Sequence, residues 1–343
     1  MPIQTVTGVS PLGTAYTNSA ESIISDFNIA TRDYFLPALV DQIWKKNTLL
    51  DILVSKQKKI GTGRKIVLDL EYGDSMSGGA YTKTDRLDIV PTESLGQAEF
   101  DWAHYWAGNS IWKFDELQNA GKEQRLDLLK VKVKAMEKKI RRDIAQDLFV
   151  TEAAHVAGHI SSINQAIVEQ NNVYGGIQRS ATNWWWRAPT SSTASPLSLD
   201  LLERSLVESA LLTNEPADLI VMNKHAFNAY WKLCTDKTVW NDKAKDPGLE
   251  APPFGKARVI WDANVPDDGG VAGANHSTIY FINTDHLFMY SHPKDSFTFS
   301  GWTDMTNIEG QRRLDGRIFW TGNLMTDLPQ AHYSLTAIAD HTG

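Results

Sequence analysis

The period of apolar and polar positions changes several times along the chain. Residues 1 to about 22, rich in Thr, Ser, Gly and Pro, show no period and read as an extended arm. Between Glu21 and Val54, Phe35, Leu36, Leu39, Ile43 and Trp44 recur at three- and four-residue steps, which predicts helix in pieces, with Pro37 near a helix start. Over 58–112 the texture becomes glycine-rich and alternating. KIVLDLEYG and ESLGQAEFDWAHYW have the period of two that marks strands, and they flank the polar, glycine-rich DSMSGGAYTKTDRLD. The prediction is a long β-hairpin with a glycine-rich turn. Because a two-stranded hairpin is marginal alone, it should lie on its own body or on a neighbouring subunit.

The strongest helical signal follows. Leu126, Leu129, Val133, Met136, Ile140, Ile144 and Leu148 step by three or four, and neither Pro nor Gly intervenes from Lys122 to Thr151. At 1.5 Å per residue this is a helix of roughly 45 Å, well beyond an average helix of ~12 residues. Between Lys122 and Asp143 it carries nine cations and four anions. A solvated helix face explains that charge run first; a surface that meets acidic partners is the sharper reading. Residues 152–200 lose periodicity and include Trp184, Trp185 and Trp186 in a Gly-, Asn- and Ser-rich stretch. Helix returns over 196–212 with Ser198 as N-cap, followed by a buried strand in PADLIVMN, a helix in KHAFNAYWKLC and a strand in ARVIWD. IYFIN, LFMYSH and SFTFSGW read as separate antiparallel strands joined by turns, and RRLDGRIFWTGNLMTD and AHYSLTAIA as two long strands. The strand between two helices suggests an α/β layer.

Composition narrows the classes. With 42% hydrophobic and 22% charged residues the chain can bury a core, which excludes intrinsic disorder. A formal net charge of −7 gives no global attraction to phosphate and argues against an ordinary nucleic-acid binder. One cysteine, Cys234, excludes an intrachain disulfide and a cysteine-based zinc cluster; it reads as a structural thiol. The first residues lack a basic and an apolar signal region, and no run approaches the ~18 apolar residues of a membrane helix, so the expectation is a soluble protein made in a cytoplasm, without membrane contact. Tryptophan is as frequent as phenylalanine, 12 each, and rings of that size suit interfaces.

Candidate chemistry is sparse. His155 and His159 have the i, i+4 spacing of metal ligands but lack a third ligand and an adjacent glutamate. Gly61-Thr62-Gly63 precedes a strand and reads as a hairpin entry, not a phosphate loop. Asp262, Asp267 and Asp268 lack calcium-loop alternation, which favours a turn. The three tryptophans could stack sugars or bases, but three adjacent residues cannot share one strand face, and a core or interface role is favoured. The expectation is no catalytic residue, no metal and no cofactor: a self-assembling structural protein whose arm and hairpin need partners.

The order of elements resembles the major capsid protein of tailed bacteriophages, which implies an α+β protein with the Hong Kong-97 capsid fold. FDELQNAGKEQRLDLLKVKVKAMEKKIRRDIAQDLF is similar to the family's spine helix and its lead-in. YGGIQRSATNWWW is similar to a Gly-Gly-Ile-x-Arg segment followed by Trp. PADLIVMNKHAFNAYWKL resembles the axial-domain strand and helix, and GRIFWTGNL with AHYSLTAI the C-terminal strands. The resemblance implies an N-terminal arm (1–30), a helical lead-in (31–54), an extended loop (55–112), a peripheral domain (113–160 and 285–343) and an axial domain (161–284). It further implies self-assembly as pentamers and hexamers into an icosahedral shell around double-stranded DNA, held without sequence-specific binding. A separate scaffolding protein, a portal and decoration proteins would be partners; the protein would reside in the virion after assembly in the host cytoplasm.

Within that layout the inter-subunit loop tip is Gly78, Gly79, Tyr81, Lys83, Asp85 and Arg86, and the spine helix is carried by Leu126, Leu129, Val133, Met136, Ile140 and Ile144. Some members join a loop lysine to a neighbour's asparagine. Lys83 is a candidate donor, but Gly316 and Arg317 stand where the asparagine is expected, with Asn307 and Asn323 nearest, so no covalent cross-link is expected. Two alternatives stay open: an encapsulin-type nanocompartment shell of the same fold and, from another class, a carbohydrate-binding or hydrolytic protein.

Overall fold

A computed structural model describes residues 8–9, 15–16, 48–61, 63–72, 80–83, 94–118, 128–180, 182–193, 195–235, 253–266 and 276–339. Along the chain run β1 (Gly8–Val9), β2 (Ala15–Tyr16), α1 (Thr48–Ser55), β3 (Lys58–Lys59), β4 (Ile66–Glu71), β5 (Leu95–Phe100), β6 (Ala103–Trp112), α2 (Lys113–Gln118) and α3 (Leu128–Asp147). Then come β7 (Val173–Tyr174), β8 (Ile177–Gln178), β9 (Thr190–Ser192), α4 (Leu199–Ala210), β10 (Leu219–Met222), α5 (Lys224–Thr235) and β11 (Arg258–Trp261). The chain closes with β12 (His276–Ile282), β13 (Leu287–Asp304), α6 (Thr306–Glu309), β14 (Arg313–Thr326) and β15 (Tyr333–Ala339). It divides into two compact units, one of residues 1–44, 107–138 and 299–318 and one of residues 45–106, 139–298 and 319–343.

The core of the second unit is a five-stranded sheet in the order β11–β10–β12–β15–β9. All four residues of β10 are buried, as a short unbroken apolar run requires when both sheet faces are covered. Leu202 of α4 and Ala226, Phe227 and Tyr230 of α5 pack in one cluster with Ile220, Met222, Ile279, Phe281 and Leu335. Local chemistry sets the helix starts. Ser198 Oγ accepts from the Leu201 N–H, and Asn223 Oδ1 accepts from the Ala226 N–H, each satisfying an otherwise orphaned first-turn donor. Asn223 also donates to Ser277 Oγ, tying the end of β10 to β12. The leucines Leu49, Leu50 and Leu53 bury one face of α1, whose Leu49 N–H points at the Asp262 carboxylate.

A second sheet has the order β3–β13–β14–β6. Here one expectation fails: LFMYSH and SFTFSGW are one continuous 18-residue strand, β13, that runs through Pro293. Proline lacks the N–H a ladder needs, but β3 pairs only with Tyr290 and Ser291, so the chain at Pro293 lies past that partner, where the loss is tolerated. The spine helix also ends earlier than periodicity predicts, at Asp147 instead of Thr151. The Phe149 and Val150 N–H groups turn to the Gln146 and Asp147 carbonyls, a tightened last turn that ends the helix, and the next two carbonyls, of Leu148 and Phe149, accept from the Ile163 N–H and Asn164 Nδ2. The expected stretch 122–127 lies outside the described residues, as do the predicted helical pieces at 21–47.

In the first unit, Gly316 of β14 lies under the rings of Phe299 and Trp302 on β13; a Cβ there would approach both within about 3.0 Å. The connection from β13 to β14 is capped at both ends. Asp304 accepts from the Thr306 N–H and hydroxyl, and Gly310 supplies the left-handed residue that stops α6.

Candidate functional site

The predicted hairpin is present. β4 and β5 pair antiparallel from Ile66↔Phe100 to Glu71↔Leu95. Its two faces differ, as the alternating sequence demands. Ile66 and Leu70 with Ala98 and Phe100 point inward and are buried; Val67, Asp69 and Glu71 with Leu95, Gln97 and Glu99 point outward.

The inward face rests on the stretch that looked structureless in the sequence. Gly175 and Gly176, both with positive φ (60° and 77°), form the two-residue turn that joins β7 to β8. A Cβ on Gly175 would lie 2.8 Å from the Phe100 ring and 3.0 Å from the Ala98 methyl, so only glycine lets the hairpin seat. The Glu99 N–H donates to the Gly175 carbonyl at 2.9 Å, and the Phe100 ring meets Tyr174 edge-on.

Arg179 holds this socket from beneath. Its side chain is fully buried, its guanidinium donates to the carbonyls of Gln165, Ala166 and Glu169, each at 2.7 Å, and it lies over the Tyr174 ring. Those carbonyls belong to the π-helical turn Asn164–Val168 and the residue after it, where a cation meets the negative end of the turn. Burial lowers its pKa to about 10, so the group stays charged at neutral pH.

The tryptophan triplet forms a 3₁₀ turn, which sends its rings in different directions. Trp186 is buried and donates from Nε1 to the Tyr174 carbonyl; Trp185 stacks on Tyr72 of the hairpin with 4.7 Å between ring centroids; Trp184 stays 60% exposed. One ring thus serves the core and one the hairpin base.

Of the loop-tip residues, Tyr81 and Lys83 are described; Tyr81 is 70% exposed. Gly78, Gly79, Asp85 and Arg86 lie outside the described residues, as does Leu126 of the spine set. Leu129 and Val133 are half-buried, while Met136, Ile140 and Ile144 are buried.

The other candidates have structural roles. His159 Nδ1 bonds Asp147 at 2.8 Å, where Tyr105 also donates, and His155 Nε2 lies 3.1 Å from the Ile160 carbonyl. Asp262 is buried and accepts from the Asn264 backbone and amide, a turn, while Asp267 and Asp268 lie outside the described residues. Burial raises its pKa. Cys234 is half-buried beside the apolar cluster. Asn323 is buried, accepting from Ser161 N–H and donating to the Asp101 carbonyl, and the rings over Gly316 leave no space for a side chain. Sequence reasoning missed Gly175 and Arg179 as parts of one socket. The paired glycines between short apolar residues were a hairpin signal; nothing in the sequence marks an arginine for burial.

No family model matches the chain, and no curated protein sequence matches it. Solved structures do. The capsid asymmetric unit of cyanophage A-1(L) superposes with a TM-score of 0.66 at 13% identity, covering 89% of this chain and 96% of that one. The capsid of a native GTA particle gives 0.61 at 11%, covering 94% and 100%. The holo-SrpI encapsulin complex of Synechococcus elongatus PCC 7942 gives 0.57 at 10%, covering 91% and 94%. The chain has the α+β fold of tailed-phage capsid proteins, the Hong Kong-97 type, over most of its length.

Proposed function

We propose that the protein is a structural, non-catalytic shell subunit, the major capsid protein of a tailed bacteriophage. Copies assemble as pentamers and hexamers into an icosahedral head that encloses double-stranded DNA. The observation that carries this reading is the near-complete mutual coverage with phage capsid structures. The hairpin adds support: its base is fixed in the Gly175–Arg179 socket, while its outward face leaves Leu95 75% exposed, available to a neighbouring copy. In this reading residues 1–30 form the arm, 55–112 the extended loop, 113–160 and 285–343 the peripheral domain and 161–284 the axial domain. Gly78, Gly79, Tyr81, Lys83, Asp85 and Arg86 form the loop tip that meets a neighbour. The net charge of −7 suits a wall that encloses DNA without gripping it. Scaffolding protein, portal and decoration proteins are the partners, the host cytoplasm the place of assembly and the virion the destination. No covalent cross-link belongs to this reading, because Gly316 and Arg317 stand where the asparagine is expected and Asn323 bonds within its own subunit.

Negative-stain microscopy of the purified protein, alone and with co-expressed scaffold and portal, tests this. Uniform closed shells are expected; a stable monomer under every condition overturns the reading. Deleting Ser75–Asp85 should leave thermal unfolding unchanged while shell yield collapses. A deletion variant that aggregates as monomer would show that the tip packs internally. The likeness to the encapsulin complex favours a second reading, a nanocompartment shell. Particles that hold an enzyme and no nucleic acid would select it.

A further inference from the structure

Two histidines of the second unit meet where the turn from β12 to β13 approaches the end of β14, and their hydrogen bonds place opposite demands on protonation. His332 has no exposed surface. Its Nδ1 accepts from the Asn283 N–H at 3.2 Å, so Nδ1 carries no proton. Nε2 therefore bears the hydrogen and donates to Thr326 Oγ1 at 3.0 Å; the same oxygen accepts from the Leu328 N–H. One neutral ring thus ties three segments together. His286 is the reverse case. Its Nδ1 lies 3.0 Å from Asp327 Oδ1 and its Nε2 3.1 Å from Glu215 Oε2, and only an imidazolium can donate to both.

We propose that His332 and His286 form an acid-sensitive joint between the β12–β13 turn and the end of β14, closed while His332 is neutral and loosened when it takes a proton. A proton on Nδ1 would set an N–H against the Asn283 N–H and put a charge where no carboxylate bonds the ring. The groups that face His332 are the side chain and backbone of His286, the Asn283 N–H and the Thr326 hydroxyl. Those around His286 are Glu215 and Asp327, the latter also acting on Tyr290. On the turn itself Thr284 links Asp218 and Lys56, and Lys56 pairs with Asp285. Among the described residues the charged group acting on His332 is His286, and its charge opposes a second proton. Burial first, then that charge, holds the pKa of His332 down at about 3 against an ordinary 6.5.

The sign follows from linkage. The unfolded ring takes up a proton below about 6.5 and the folded ring does not, so the contribution to stability is full above that pH and is lost as pH falls toward 3. One proton corresponds to a tenfold change in the folding constant per pH unit across that window.

The test uses the full chain. Folding equilibria of the wild type and of His332→Gln, which keeps a donor for Thr326 but cannot titrate, are measured from pH 7 to 4. The wild type should lose stability more steeply, by up to tenfold per pH unit, and its amide exchange should rise first at 283–290 and 326–333. Equal slopes overturn the proposal. If the variant does not fold, exchange at the imidazole C2 position of the wild type decides: a midpoint near 6.5 for His332 overturns the proposal, and no titration above pH 5 supports it.

Discussion

The five-stranded sheet, which mixes parallel and antiparallel pairs, and the antiparallel β4–β5 hairpin are both apolar enough to be read from sequence, yet they are held differently. β10 is buried along its whole length and shares its core with two helices and three further strands, so each contact is one among many. The hairpin buries one face, and that face meets a single socket built from Gly175, Tyr174 and Trp185 with Arg179 beneath it. A sheet core spreads its stability over many rings. A hairpin on a socket depends on a few residues whose shape cannot change, which leaves the rest of it available to a neighbour.

Substitutions rank along this difference. Phe281 is wholly buried in the sheet core and packs edge-on against Tyr333. Phe281→Ala should destabilise the second unit by about 4 kcal/mol in urea unfolding, the cost of a large core truncation. Arg179→Ala removes three charge-assisted bonds and leaves buried carbonyls unpaired, for about 3 kcal/mol. Its signature should be local: proteolysis and amide exchange rise at 163–179 and 94–100 before the five-stranded sheet opens. If exchange rises equally in both regions, socket and sheet are one cooperative body and the comparison fails. Gly175→Ala combines a left-handed backbone with a 2.8 Å clash against Phe100, for about 2 kcal/mol. Gly176→Ala, at a position open to solvent, should show only the backbone part, so the difference between the two isolates the seat of the hairpin.

Much of the fold was legible because local chemistry and burial agreed. Ser198 caps α4 and Asn223 ends β10 where the sequence places them, and the β4–β5 pairing follows from strict alternation. The failures share a cause, a tertiary partner overriding a local signal. Pro293 reads as a break, but the strand carries on past the last residue paired with β3. Periodicity carries the spine helix to Thr151, but the chain tightens at Phe149 and Val150, and the Leu148 and Phe149 carbonyls that follow are bonded by Ile163 and Asn164 of a later segment. Arg179 carries no signal of burial, because its partners are backbone carbonyls, which every sequence has. The loop-tip assignment rests on resemblance alone: exposed residues such as Tyr81 and Lys83 obey no period that a core could impose.

The outward face of the hairpin gives the smallest expected effect and the cleanest control. Lys65 Nζ lies 2.8 Å from Glu99 Oε2, and the contact raises the lysine and lowers the glutamate in pKa, each chiefly through their shared hydrogen bond. A lowered carboxylate contributes stability above its unfolded pKa and a raised lysine below its own, so the pair would be felt between ordinary values of 4.5 and 10.5, neutral pH included. Both side chains are exposed, however, and water screens an attraction that two flexible side chains must also lose entropy to make. Lys65→Ala should therefore leave the midpoint of thermal unfolding unchanged at neutral pH and at high salt alike, with amide exchange across β4 and β5 as in the wild type. A clear drop that salt abolishes would mean that the outward face stabilises the hairpin within one subunit, and the division between a fixed inner face and a free outer one would have to be given up.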